Sequence, residues 1–212
     1  MKILSLETTS EMGSIAFLEN GNIGYETVFE GGEISDYLVS SVENILEQKS
    51  IALSQINYFV VSIGPGSWTG TRLGISFVKG LAKGDKHRIY CITVPHSLFF
   101  GIRQLRFPAI CLINAYGGKI YVSHFNGRFY YHKHYFPEKI SCEEVFEMFV
   151  GKEVLCTGPG TSLLPQALRK QKNIKLPDRY FVYPKAGLNG LLAFEKINRH
   201  IPSLPLKPYY GR

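Results

Sequence analysis

The chain has 212 residues, 45% of them apolar and 19% charged, enough to bury a proper core as one domain or two small lobes. No apolar run approaches the ~20 residues that a membrane-spanning helix needs. The opening residues run straight into a strand with no basic, cleavable leader, so neither membrane nor secretion is expected and the cytoplasm is. Lys and Arg outnumber Asp and Glu by 24 to 17, a formal +7 that suits either an anionic partner or plain solubility.

Lys2 to Leu6 reads as a strand running into Glu7-Thr8-Thr9-Ser10. Gly13 to Leu18 and Ile23 to Phe29 read as two more, joined across Asn20-Gly21. Glu33 to Gln48 places Ile34, Leu38, Val42, Ile45 and Leu46 at helical spacing on one apolar stripe. Tyr58 to Ile63 is a buried strand, followed by a glycine-rich turn and a helix from Thr69 to Lys83. That helix carries Gly70, Gly74 and Gly80. Each glycine costs ~1 kcal/mol relative to alanine inside a helix, which implies close approach by this chain's own sheet or by a partner helix. A strand over Arg88 to Thr93 and a short helix over His96 to Gln104 complete the first half.

A second α/β unit begins near Phe107. Ala109 to Asn114, Lys119 to Asn126 and Arg128 to Phe136 read as strands, the last two joined at Asn126-Gly127. A helix over Cys142 to Val150, a strand over Glu153 to Thr157, the turn Gly158-Pro159-Gly160 and a helix over Leu163 to Lys170 follow. Lys175 to Lys185 is a proline-punctuated loop, Leu188 to Arg199 a last helix, and Lys207 to Arg212 a short tail. The division expected is a first lobe over residues 1–104, with 187–212 packing back on it, and a smaller α/β lobe over 105–186.

The most constraining run is Gly64 to Lys79, G-P-G-S-W-T-G-T-R-L-G-I-S-F-V-K. Two glycines around a proline make a tight turn in which backbone N–H groups can point into one concavity, and Ser67 or Thr69 can cap the helix that follows. Strand, glycine-rich turn and helix is how a chain cradles a phosphate or a carboxylate, and equally how a plain connection is built. It is no Walker A loop, because Thr71-Arg72 stands where Lys-Ser/Thr is required. The candidates for an anion or nucleotide turn are Glu7, Thr8 and Thr9 with Gly64, Pro65, Gly66, Ser67, Trp68, Thr69, Gly70 and Arg72.

This layout resembles the bacterial TsaB (YeaZ) proteins, which help to make threonylcarbamoyladenosine in tRNA. The start, Ile3-Leu4-Ser5-Leu6-Glu7-Thr8-Thr9, is similar to the family's "I-L-x-[IL]-D-T-S/T" opening. Gly64 to Gly74 is similar to its "G-P-G-S-F-T-G-x-R-x-G" signature, with Trp68 for phenylalanine. Pro208 to Arg212 resembles the closing "P-x-Y-L-R", with Gly211 for leucine. The resemblance covers nearly the whole chain and is dense over Met1 to Ala82. It implies a two-lobe actin/Hsp70/sugar-kinase-like (RNase H-like) α/β fold with mixed sheets flanked by helices. It also implies a non-catalytic subunit that pairs with the transferase TsaD and recruits the ATPase TsaE, with tRNA as an indirect or weak partner. Relatives dimerise through first-lobe helices, which makes Ile34, Leu38, Val42, Gly70, Gly74 and Phe77 the expected interface and a homodimer the expected state alone. No cofactor of its own is expected, and ATP or ADP is left open only at a subunit interface.

Other chemistries find little support. Actin-type ATPases need carboxylates at two phosphate turns, and here Glu7 supplies one while Val61-Ser62-Ile63-Gly64 supplies none. TsaD binds a metal through His-x-x-x-His, a pair this sequence lacks, and His132-x-His134 reads as a solvated strand face. Cys91, Cys111, Cys142 and Cys156 form no C-x-x-C pair and read as buried reduced thiols, so no metal is expected. No G-x-S-x-G nucleophile elbow exists. Tyr116 to Phe136 interleaves Lys119, Arg128 and Lys133 with seven aromatic rings beyond Tyr116, a pattern that serves either a strand core or base stacking in RNA. Two family patterns are lost: "H-S/T" aligns with Ile34-Ser35, and "D-A-R-x-x-E-x-Y" aligns with Asn114 to Tyr121 without its acids or arginine.

Overall fold

In a computed structural model of the chain, which describes residues 1–30, 34–133, 135–148, 153–178 and 182–210, the apolar opening strand β1 (Lys2–Glu7) is buried along almost its whole length. β2 (Met12–Glu19) and β3 (Asn22–Glu30) follow as an antiparallel meander. Asn20 and Gly21 both adopt positive φ, 50° and 80°, as a two-residue hairpin turn requires. α1 (Ile34–Gln48) leads to β4 (Tyr58–Ser62), α2 (Trp68–Leu81) and β5 (Ile89–Ile92). β4 lies parallel to β1, and β5 parallel to β4, so the sheet order is β3-β2-β1-β4-β5. Period-two alternation sends Leu4, Leu6, Phe59 and Val61 to one face, where Leu38, Val42 and Ile45 of α1 and Ile75 and Val78 of α2 close the core.

α3 (Val94–Ile102), β6 (Pro108–Asn114), β7 (Lys119–Asn126), β8 (Glu138–Ser141) and α4 (Cys142–Glu147) come next. β9 (Val154–Thr157), α5 (Gln166–Arg169) and β10 (Ile174–Lys175) complete that region. The second sheet has the order β10-β9-β6-β7-β8, antiparallel on the meander side and parallel on the other. Written from the first strand outward, both sheets have the same connectivity. The second core gathers Ile110, Leu112, Val122, Val154 and Cys156 beneath Leu164 and Leu168.

α6 (Ala186–Asn198) packs on the first sheet, touching all five of its strands. Its first amides are held without a side-chain cap of its own: Ala186 N donates to Ser14 Oγ at 2.8 Å, and Gly187 N to Glu26 Oε1 at 2.7 Å. A carboxylate at a helix N-terminus also complements the helix dipole. The chain divides into two compact units, Met1–Val94 with Lys185–Tyr209, and Pro95–Pro184 with Tyr210–Arg212. The first segment ends at Val94, ahead of residue 104, because Phe99 and Phe100 of α3 pack against Phe125 and Phe129.

Two elements differ from their sequence reading. The described residues from Arg128 to Phe136 form no strand; β8 pairs with β7 instead. Phe129 and Tyr135 turn their rings onto α3, lying 5.2 and 5.3 Å from the His96 ring, with Tyr135 also 5.1 Å from Phe99. Side-chain packing thus holds this segment in an aromatic strap with irregular backbone. The helix expected over Leu163 to Lys170 divides into a 3₁₀ turn at Pro159–Leu163 and the short α5, because Pro165 caps the new helix start. α4 ends at Glu147; His134, Glu33, the helix end expected at Val150 and the tail residues Gly211 and Arg212 lie outside the described residues.

Candidate functional site

Glu7 ends β1 with its side chain fully buried. Its Oε1 accepts from the Thr9 amide at 2.7 Å and from the Thr9 hydroxyl at 2.5 Å. Its Oε2 accepts from the Ser62 hydroxyl and, at 3.0 Å, from Asn189 Nδ2 of α6. Asn189 Nδ2 also reaches Ser62 Oγ at 3.2 Å. Both carboxylate oxygens are therefore engaged by this chain's own donors, as a buried carboxylate requires. Ser62 and Asn189 are partners that sequence reading missed. They stand 55 and 182 residues from Glu7, and no local signal marks a buried serine or asparagine as its donor.

The glycine-rich turn packs against the residues that follow Glu7. The Ser67 amide donates to Thr9 O at 2.7 Å, and Thr8 Oγ1 donates to Gly70 O at 2.7 Å. A Cβ at Gly66 would overlap the Thr9 carbonyl oxygen, one at Gly70 the Thr8 carbonyl oxygen, and one at Gly74 the Thr8 hydroxyl. These glycines are required by close approach of the Thr8-Thr9 backbone and side chain within the same unit. Ser67 caps α2, its hydroxyl accepting from Gly70 N at 3.1 Å; Thr69 does not take that role. Gly64 sits at φ +98°, joined to Pro65 by a cis peptide, and a Cβ there would meet Tyr209 O at 2.8 Å. Tyr209 N donates to Ile63 O, so the chain's tail closes against the turn. Outward, Trp68 is 53% exposed with the Arg72 guanidinium 3.7 Å above its ring.

The residues expected at a partner interface divide. Leu38 and Val42 lie in the core of their own unit, and Gly70 and Gly74 are covered by Thr8. Ile34 and Phe77 are half-buried against that core. The apolar side chains that α1 exposes are instead Tyr37 and Val39, with Tyr37 stacked 5.5 Å from Phe29.

The second unit repeats the arrangement with different residues. Asn114 ends β6 and its Oδ1 accepts from Tyr116 N at 2.7 Å, as Glu7 does from Thr9 N. Gly158-Pro159-Gly160 follows β9, and a Cβ at Gly160 would come within 2.7 Å of the Leu112 carbonyl carbon. Among the described residues no three His, Cys, Asp or Glu side chains gather as metal ligands, and no helix is long and apolar enough to cross a membrane. Cys91, Cys111 and Cys156 are free and buried, and burial pushes the Cys91 and Cys156 thiols up to about 11 and 12.

The family model described as TsaD, tRNA N6-adenosine threonylcarbamoyltransferase, matches residues 33–177. Among curated relatives, the tRNA threonylcarbamoyladenosine biosynthesis protein TsaB of Escherichia coli K12 is 33% identical over 84 residues, 40% of this chain and 36% of that protein. The TsaB protein of Haemophilus influenzae is 22% identical over 100% of this chain and 94% of its own length. A Pseudomonas aeruginosa structure, described as an uncharacterized protein with similarity to peptidase YEAZ, superposes with a TM-score of 0.79 at 20% identity, covering 100% of this chain and 99% of that one. The fold is the actin-like class of two mixed sheets flanked by helices.

Proposed function

This chain belongs to the TsaB (YeaZ) family of tRNA threonylcarbamoyladenosine biosynthesis proteins, and from that premise we propose that it is a non-catalytic cytoplasmic subunit. In this reading it holds TsaD in an active arrangement and recruits TsaE. The complex then transfers threonylcarbamoyl to N6 of adenosine 37 in tRNAs that read codons beginning with A. ATP or ADP, where present, belongs to a subunit interface.

The observation that carries the reading is the state of Glu7. It is the acid that stands where an actin-like ATPase needs a phosphate-turn carboxylate, and all its hydrogen bonding is internal: Thr9, Ser62 and Asn189 occupy both oxygens. Phosphoryl transfer needs such a carboxylate to hold Mg²⁺ or orient water. A carboxylate already satisfied by four buried donors would lose those bonds to do so. The glycine turn supports the same conclusion, since its closest approaches are to Thr8 and Thr9.

The test is a pull-down of the purified chain against TsaD of the same organism, with ATP turnover by the chain alone measured in parallel. Stable capture of TsaD without turnover is expected. Mg²⁺-dependent ATP hydrolysis by the chain alone, without capture, would replace the reading by a stand-alone ATPase.

A further inference from the structure

Asp85 and Glu138 are consecutive acidic residues, and the 52 residues between them carry seven Lys or Arg. Outside this stretch 17 basic residues face all 17 acidic ones, so it holds the whole formal +7 of the chain. The part of it within the second unit, from Pro95 onward, brings Arg103, Arg106, Lys119, Arg128 and Lys133 and no carboxylate side chain.

The fold draws four of these cations to the aromatic strap. A Cβ at Gly127 would meet Arg106 O at 2.8 Å, so the Asn126-Gly127 turn lies against the Arg106 backbone and brings Arg106 and Arg128 together. The Arg103 guanidinium stacks 3.7 Å from the Phe100 ring, and Phe100 lies 5.6 Å from Phe129. The Lys133 ammonium sits 5.2 Å from the Tyr135 ring. Arg106, Arg128, His132 and Lys133 are exposed, beside Tyr130 at 47% and Phe136 at 44% exposure.

We propose that this basic and aromatic surface of the second unit binds RNA directly, its cations on the phosphates and its exposed rings on unpaired bases. Cations along a backbone with interleaved rings are how single-stranded nucleic acid is held without sequence preference. An acidic polypeptide matches the charge but brings no regular series of rings to Tyr130 and Phe136, whereas an oligonucleotide couples a base to every phosphate. The placement comes from this unit's own residues and is independent of the scaffold reading, because the test needs neither TsaD nor TsaE.

The experiment titrates the full chain alone into labelled unmodified tRNA and into a labelled uridine oligonucleotide, from about 50 to 200 mM salt. Arg128→Glu with Lys133→Glu is expected to lower affinity about tenfold or more and to flatten the log–log salt slope by about 1.4, two cations at ~0.7 each. Tyr130→Ala is expected to weaken the oligonucleotide about 5- to 100-fold with the slope unchanged. Lys170→Glu with Lys172→Glu makes the same charge change toward β10, at the other end of the sheet from β8, and is expected to lower affinity less than threefold. Thermal unfolding checks each variant, and Gln replaces Glu where reversal lowers the melting temperature. Equal loss in the Arg128/Lys133 and Lys170/Lys172 double variants reduces the effect to net charge and overturns the proposal. So does competition by polyglutamate with no effect of Tyr130→Ala, which assigns the surface to an acidic protein. Absence of binding by the wild type at 50 mM salt overturns it outright.

Discussion

Replacing Glu7 by alanine separates a structural carboxylate from a chemical one. The truncation removes an acceptor that takes the Thr9 amide, the Thr9 hydroxyl, the Ser62 hydroxyl and Asn189 Nδ2, in a fully buried position. The two hydroxyls can rotate toward other acceptors, but the Thr9 amide is fixed by the backbone, and Asn189 Nδ2 keeps only its contacts to Ser62 Oγ and Leu6 O. Each stranded buried donor costs about 1–3 kcal/mol, so a loss of about 2–5 kcal/mol is expected. For a chain of this size that corresponds to a fall of about 4–20 °C in melting temperature, at ~2–4 °C per kcal/mol. The reconstituted modification reaction, run well below that temperature with all subunits saturating, should keep its maximal rate within about tenfold. General acid–base groups contribute 10²–10⁴-fold, so the two roles are well separated. A melting temperature within about 2 °C of wild type would refute the structural account. A rate lost at saturation, with binding to TsaD intact, would make Glu7 a chemical participant and end the scaffold reading.

Gly66→Val forces a side chain onto the Thr9 carbonyl and should cost about 1–3 kcal/mol by overpacking, read as a lower melting temperature; an unchanged value would mean that the turn is not shaped by that approach. If the chain dimerises through first-unit helices when alone, Val39→Asp on the open face of α1 should shift sedimentation to monomer without loss of stability. Leu38→Asp, which buries a charge in the core, should unfold the chain instead, and a wild-type monomer at high concentration sinks the dimer. Lys196 is 1% exposed, and burial pulls its ammonium from 10.5 down to about 8. Between those values the unfolded chain holds the proton that the folded chain has shed, so this group's contribution to stability rises with pH, by about 3 kcal/mol across the window. Lys196→Met should therefore be more stable than wild type at pH 7 by about 1–3 kcal/mol, with the advantage shrinking by pH 10. The difference between the two proteins is the readout, because the raised thiol of Cys91 contributes with the opposite sign; a difference independent of pH removes the buried ammonium from the account.

Most of the fold was legible because its signals are local. Short strand-like runs marked β1, β2 and β7, Asn20-Gly21 marked a hairpin, and apolar spacing marked α1. The failures have a common cause in side chains that answer to distant partners. Arg128 to Phe136 has strand composition, yet its rings are taken by α3, more than twenty residues earlier in the chain. The stripe on α1 was read correctly as apolar, but one stripe cannot say whether a sheet or a partner covers it, and Leu38 and Val42 went to the sheet. At the candidate site the sequence offered Glu7 and the glycines. It could not show that Ser62 and Asn189 consume the carboxylate or that Thr8 and Thr9 fill the clearance the glycines leave.

The repeated topology sharpens what that consumption means. Each unit ends its first strand in a polar residue whose side chain accepts from the amide two positions on, Glu7 in one and Asn114 in the other. Each follows its fourth strand with Gly-Pro-Gly packed against backbone at the C-terminal end of the first strand, at Thr9 just past β1 in one unit and at Leu112 within β6 in the other. A turn with this geometry serves a ligand only where amides or carboxylates remain to meet it. In the first unit the carboxylate is spent on Thr9, Ser62 and Asn189 and the Ser67 amide on Thr9, while in the second unit the side chain at the matching position is an uncharged amide. Exposed side chains offer further chemistry for recognition: Trp68 with Arg72, Tyr37 and Val39 on α1, and the cations around the aromatic strap. In the proposed scaffold reading, partners meet these outward aromatic and basic groups. That is why surface substitutions such as Val39→Asp, and not changes at Glu7, are the ones expected to alter binding while leaving the fold intact.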